Sequence, residues 1–156
     1  MKPALWLLGG AATLVALKAL ARGRDWGSPL DRALAVTSPF GNRIDPFGTG
    51  KTVYHNGIDL AAEVGTPALA VADGEIQTVS YDDLNGNFIR VAHENGVVTA
   101  YAHLSAVADE VAPGAQVNRG QVIALTGATG AITGPHLHFG VQVGSIWVNP
   151  GPYLGL

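Results

Sequence analysis

The sequence predicts an all-β domain of short, mostly antiparallel strands, with one apolar helix at its N-terminus. Three observations predict it. Turn formers are dense, with 21 Gly and 9 Pro in 156 residues and none of the period of collagen. From Ser38 onward the apolar residues fall in short runs broken by Gly, Pro, Asn and Asp. No long amphipathic helical pattern is visible in that body. The length allows one domain and leaves little room for a second. The chain is expected to divide into a signal peptide or membrane anchor at 1–21, a linker at 22–37 and a domain at 38–156.

Residues Pro3 to Leu17, PALWLLGGAATLVAL, are almost wholly apolar and lie between Lys2 and Lys18. The run is shorter than the ~20 residues that span a bilayer, although Lys18 to Ala21 extend it by snorkelling. Ala19-Leu20-Ala21 also resembles a signal-peptide cleavage site. Either reading sends the body to or through a membrane, hence to the cell envelope; a helix buried in the domain is the plainer alternative. Lys18, Arg22 and Arg24 follow the apolar run, and such charges favour a cytoplasmic body, so orientation stays open. Arg22, Arg24, Asp25, Pro29, Asp31 and Arg32 give 22–37 its linker character.

In the body, Asn42 to Lys51 is loop-like, with Pro46, Gly48 and Gly50 closely spaced. Short apolar runs follow at Gly57 to Ala62 and Pro67 to Ala72, the second ended by Asp73-Gly74. Glu75 to Tyr81 alternates weakly, and Asp82 to Asn87 is a loop signal. Phe88 to His93 and Val97 to Leu104 read as strands joined through Asn95-Gly96, the strongest short hairpin signal. Val122 to Leu125, Leu137 to Val143 and a last strand from Trp147 complete the set. Val64 to Ile76 is faintly echoed by Ala112 to Ile123, as a duplicated hairpin motif would be.

Composition excludes several chemistries. Cys is absent, so disulfides and thiolate metal sites are excluded and any metal must be held by His and carboxylate. The formal charge is −3 with no basic stripe, which argues against nucleic acid as a partner. No His-Glu-x-x-His helix and no Gly-x-Ser-x-Gly elbow occurs. The glycine-rich stretch Gly127 to Gly134 lacks the Lys of a phosphate loop and reads as a loop that shapes a groove. No protein partner is legible.

Four of the five histidines are candidates for a site. In Gly134 to Val143, Leu137, Phe139, Val141 and Val143 share one face of a strand, and His136, His138, Gly140 and Gln142 share the other. His55 and Asp59 are four apart; on an extended chain through Gly57 they share a face. His103 ends a hairpin strand and by alternation shares the face of Tyr101 and Thr99. Each alone has a plain structural explanation: surface histidines, a solvated ion pair, a satisfied core histidine. Together they supply His55, Asp59 and one of His136 and His138 as three ligands, the number a catalytic zinc takes with one position left open. Two imidazoles then remain for acid–base and oxyanion work. His93, beside the Glu94-Asn95-Gly96 turn, is read as structural.

His55-x-x-x-Asp59, Tyr-x-His103-Leu-Ser and Thr-Gly-Pro-His136-Leu-His138-Phe together resemble the lysostaphin-type (LytM-like) zinc endopeptidases. The resemblance runs from about Ser38 to Tyr153. It includes Phe40-Gly41-x-Arg43, Gly65-Thr66-Pro67, Gly120-Gln121-x-Ile123 and Asn149-Pro150. It implies an open groove floored by an antiparallel sheet with a duplicated hybrid motif. It also implies one zinc ion on His55, Asp59 and His138, with His103 and His136 as the catalytic pair. The implied activity is that of a metalloendopeptidase on peptidoglycan cross-links or stem peptides. No wall-binding module is recognisable, and Tyr54, if extended, faces away from the site.

Three other readings compete. A catalytically silent activator of another wall hydrolase would lack ligands, whereas all five site residues are present. A lipoyl- or biotin-type carrier needs an exposed Lys, and none follows Lys51. A phage-encoded lysis or entry endopeptidase would share the chemistry.

Overall fold

Strand formation follows the turn punctuation. The computed structural model describes residues 26–156, so the expected N-terminal helix and the segment 1–21 lie outside the described residues. In chain order the strands are β1 (Val36–Ser38), β2 (Gly41–Ile44), β3 (Thr52–His55), β4 (Ile58–Ala61), β5 (Pro67–Leu69) and β6 (Gly74–Asp82). They continue as β7 (Gly86–Ala92), β8 (Val97–Val107), β9 (Gln116–Val117), β10 (Val122–Thr126), β11 (His136–Val143) and β12 (Ile146–Val148), before a short helix, α1 (Gly151–Leu154). Among the described residues ten strands form one sheet along the path β1-β4-β11-β8-β7-β6-β9, with β12 beside β11 and β10 between β5 and β8. β2 and β3 make a separate two-stranded sheet. All the ladders among the described strands are antiparallel, as the sequence predicts.

The β7–β8 hairpin turns where Asn95-Gly96 predicts. Asn95 and Gly96 both take the left-handed backbone, with φ of 61° and 71°, which matches the twist of the flanking strands. β11 lies between β4 and β8 and carries the core: Leu137, Phe139 and Val141 are fully buried, and the Phe139 ring meets the Tyr101 ring edge-on at 5.2 Å. Burying each such side chain stabilises the fold by about 1.5–3 kcal/mol. The echoing segments pair with each other: β5 with β10, and β6 with β9.

Two stretches differ from expectation. The described part of the expected linker, 26–37, packs on the domain: Leu30 is buried and bridges Ala68, Gly27 N–H donates to the Val71 carbonyl, and Trp26 lies 4.8 Å from the Tyr153 ring. Trp26, Leu30 and Leu34 stand among the charges that gave the segment its polar look, and they pack on the core. Asn42 to Lys51 is not all loop, because β2 runs to Ile44 and the Pro46–Gly50 turn closes a hairpin with β3.

Candidate metal centre

The site forms where the small sheet meets the large one. His55 ends β3, whereas Asp59 and His138 sit opposite each other on β4 and β11. His55 and Asp59 therefore do not share one strand face as the extended reading predicts. The chain breaks at Asn56-Gly57, and the two residues approach from different sheets.

Gly57 permits this break. A Cβ there would stand 2.5 Å from the Phe139 carbonyl oxygen and 2.8 Å from the His138 ring, contacts that real Cβ atoms do not make. Gly57→Ala is expected to destabilise the fold by about 1–3 kcal/mol through overpacking and to weaken metal binding by displacing His138. Thermal melting with and without zinc tests this; an unchanged melting point and unchanged zinc affinity would refute it.

The donor atoms form a small triangle. His55 Nε2 lies 3.1 Å from Asp59 Oδ1 and 3.0 Å from His138 Nδ1, and His138 Nδ1 lies 3.0 Å from the same oxygen. Metal–ligand bonds of ~2.0–2.1 Å in a tetrahedron put ligand atoms ~3.3 Å apart, close to these edges. All three residues are buried. His55 Nδ1 lies 2.8 Å from the Pro39 carbonyl, which only accepts, so Nδ1 carries the proton and Nε2 offers a lone pair to the triangle. A carboxylate oxygen and an imidazole lone pair held this close call for a cation between them. The donor set, two imidazoles and one carboxylate with no thiolate, fits zinc.

Two more histidines border the triangle. His136 Nδ1 lies 2.9 Å from the Gly134 carbonyl, and its Nε2 lies 3.4 Å from Asp59 Oδ1. His103 Nδ1 lies 2.8 Å from the Thr129 carbonyl, and its ring centroid lies 4.9 Å from that of His136. Both rings thus spend Nδ1–H on backbone and keep Nε2 for the groove. The alternation that assigned His103 to the Tyr101 face fails here. His103 has φ of 63°, in a register break between β7 and β8, and this redirects its ring towards His136. Left-handed backbone is uncommon for a residue other than Gly, although His adopts it more readily than most, and strained positions cluster at functional sites.

The microenvironments separate the titrations. Burial opposes ionisation of Asp59, but hydrogen bonds with His136, His138 and His55 outweigh it and hold the carboxyl well below the usual range. Burial pulls the His103 imidazole down to about 4, against the Thr129 carbonyl that favours its protonated form. Burial also lowers His138. For His136 burial acts in the same direction, but the Asp59 hydrogen bond and charge prevail and its pKa rises. His93 is half-buried, which lowers its pKa, and its two nitrogens meet the Asp73 carbonyl and Thr99 Oγ1, each at 2.8 Å.

These directions give a stability prediction for the metal-free protein. A histidine whose folded pKa is depressed binds fewer protons folded than unfolded, so its contribution is present above the unfolded value of ~6.5 and is lost below it. His103, His138 and His93 act this way, whereas the raised His136 changes its contribution only above ~6.5. The melting temperature in chelator is expected to fall from pH 6.5 to pH 4; a flat or rising profile would contradict it.

The histidines and Asp59 floor a groove of about 630 Å³. Ile44 and Tyr54 from the small sheet and Phe47 from its turn line it, as do Leu84 and Ile132. Tyr54 thus contributes to the groove rather than to the metal triangle. Arg43 also lines it and donates to Asp59 Oδ2 at 2.9 Å, a contact that the Phe40-Gly41-x-Arg43 motif contained but whose partner its spacing did not name. The Thr129 carbonyl that holds His103 had no side-chain signal at all.

Comparison with known proteins gives concordant matches. The chain is 40% identical over 123 residues to the peptidoglycan DD-endopeptidase ShyC of Vibrio cholerae, covering 79% of this chain and 28% of that protein. It is 44% identical over 115 residues to the DD-carboxypeptidase/endopeptidase Mpg of Neisseria meningitidis, covering 74% and 26%. The chain thus spans about a quarter of the length of these curated relatives. Among solved structures, a zinc-containing peptidase from Vibrio cholerae aligns with a TM-score of 0.71 at 41% identity, covering 78% of this chain and 37% of that one. The catalytic domain of lysostaphin from Staphylococcus simulans aligns with a TM-score of 0.70 at 30% identity, covering 79% and 93%. The model of Peptidase family M23 matches residues 53–150, which contain the whole triangle and both neighbouring histidines, and the chain belongs to that family.

Proposed function

We propose that this chain is a zinc-dependent endopeptidase that hydrolyses peptide bonds in peptidoglycan cross-links or stem peptides. The observation that carries this reading is the donor triangle of His55, Asp59 and His138, with His103 and His136 beside it on the floor of an open groove. His55 Nε2, Asp59 Oδ1 and His138 Nδ1 would hold one zinc ion. Zinc in a site of this kind polarises a carbonyl and lowers the pKa of water.

The chain's own groups supply the rest. His103, kept neutral at pH 7 by burial, offers Nε2 as the proton acceptor. His136, whose pKa is raised, is the better proton carrier and donates from Nε2 to the leaving amine. Environments that push two groups apart in this way divide the acid and base roles between them. The apolar walls suit the uncharged backbone and methyl groups of a short peptide.

The names of the relatives at 40% and 44% identity include DD-endopeptidase and DD-carboxypeptidase/endopeptidase, against 30% for lysostaphin. The names of these relatives support cross-links between D-residues as the substrate. Such a substrate puts the domain in the cell envelope, and the apolar segment 3–17 is the proposed means of delivery, with 1–21 as signal or anchor. No helix among the described residues is long and apolar enough to cross a membrane.

The test is digestion of purified peptidoglycan by the zinc-loaded protein, with fragments read by mass spectrometry with and without chelator. New chelator-sensitive peptide ends are expected, and their masses name the bond. Absence of new ends from protein that holds zinc would overturn the reading. Cleavage should also fall with zinc occupancy as pH drops, because metal binding needs deprotonated ligands and protons compete with the metal.

A further inference from the structure

Arg43 stands on β2, in the small sheet, and reaches the large one. Its Nη1 donates to Asp59 Oδ2 at 2.9 Å and also to Ser38 Oγ on β1. Asp59 therefore uses its two oxygens differently: Oδ2 is taken by the guanidinium, and Oδ1 faces His55, His138 and His136. Arg43 Nε is buried with no hydrogen-bond partner.

Position adds a second consequence. His55 lies at the end of β3, which among the described residues pairs with β2 alone, and Gly41 of β2 faces it directly. The Arg43 contacts with Asp59 on β4 and Ser38 on β1 tie this hairpin to the large sheet beside the metal triangle. A shift of the hairpin would move His55 relative to Asp59 and His138.

We propose that Arg43 is a positioning residue of the metal centre: it occupies one oxygen of Asp59, so that the other alone is presented to a cation, and it fixes the hairpin that carries His55. The proposal rests on the reading of His55, Asp59 and His138 as ligands. It makes a prediction opposite to simple electrostatics. A guanidinium beside a cation site repels the cation, so its removal would tighten binding if charge were all that mattered. If Arg43 positions the ligands, its removal loosens binding, as loss of an outer-shell partner does by ~10–100-fold.

The experiment measures zinc affinity of the full chain in competition with a chromophoric chelator, for the wild type, Arg43→Gln, Arg43→Lys and Ser38→Ala. Arg43→Gln is expected to bind zinc ~10–100-fold more weakly. Arg43→Lys keeps the charge but not the planar fork, and is expected to recover only part of that loss. Ser38→Ala, which leaves every ligand and Arg43 in place, is expected to weaken zinc binding by a smaller factor. It decides the matter if the Arg43 variants do not fold. The cobalt-loaded proteins give a second readout: visible absorption is strong for four-coordinate cobalt and weaker when a carboxylate adds its second oxygen, so the band of Arg43→Gln should lose intensity. Wild-type affinity or tighter binding in Arg43→Gln, with an unchanged cobalt band, overturns the proposal. Failure of the wild type itself to bind zinc overturns the ligand reading on which it rests, which is a separate result.

Discussion

Asp59→Ala is expected to abolish zinc binding and peptidoglycan cleavage together. The carboxylate is the one anion in the triangle and lies 3.0–3.1 Å from both imidazole donors. Its loss leaves two neutral nitrogens for a divalent cation and exposes that cation to Arg43 without compensation. The loss in zinc affinity should exceed the ~10–100-fold that follows disturbance of an outer partner. Elemental analysis of the purified variant checks it, beside fragment analysis of digested peptidoglycan. The rise in melting temperature that zinc gives the wild type should disappear, because a ligand stabilises only a fold that binds it. His138→Ala is expected to behave alike. One zinc per chain in either variant would remove that residue from the ligand set.

His103→Asn is expected to keep zinc and lose turnover by ~10²–10⁴-fold, the usual contribution of a positioned acid–base group. Asn is the informative replacement because His103 has φ of 63°, a backbone that Asn tolerates better than Ala. The variant therefore separates chemistry from backbone strain. His136→Ala is expected to show the same split, zinc retained and turnover lost, since its ring borders the triangle without closing it. Near-wild-type turnover in either variant would withdraw that histidine from the catalytic pair. A loss of zinc along with turnover would make it a ligand instead.

The two classes of variant differ in what the sequence could say of them. Period-two alternation placed His136 and His138 opposite Leu137 and Phe139, and β11 is built so. It placed His103 on the wrong face, because one left-handed residue and a register break reset the alternation between Ala102 and Leu104. Local periodicity cannot anticipate such a break, since the contacts that hold it come from Asn85 and Thr129, at distant positions or across a loop. The spacing of His55 and Asp59 was read as one extended strand. The residues do converge, but through a break at Gly57 whose need for a missing Cβ comes from Phe139 and His138. Trp26 and Leu30, hidden among charges, pack on the domain for a similar reason: burial depends on what lies opposite, and sequence neighbours do not report it.

The sequence by itself determined the strands β7, β8, β10 and β11, the Asn95-Gly96 hairpin, the all-β class and the residue types available to a metal. Each is set by local chemistry: alternation, left-handed turn residues, and a chain without thiols. The tertiary structure alone decided which atoms meet. It placed Nε2 of His55 and Nδ1 of His138 on one oxygen of Asp59, gave the other oxygen to Arg43, and turned His103 into the groove. Those choices depend on the antiparallel register of β4, β8 and β11 and on the seat of the β2–β3 hairpin against them. Register and seating are fixed by packing between segments far apart in the chain, and that packing sets distances to the few tenths of an ångström that metal binding requires.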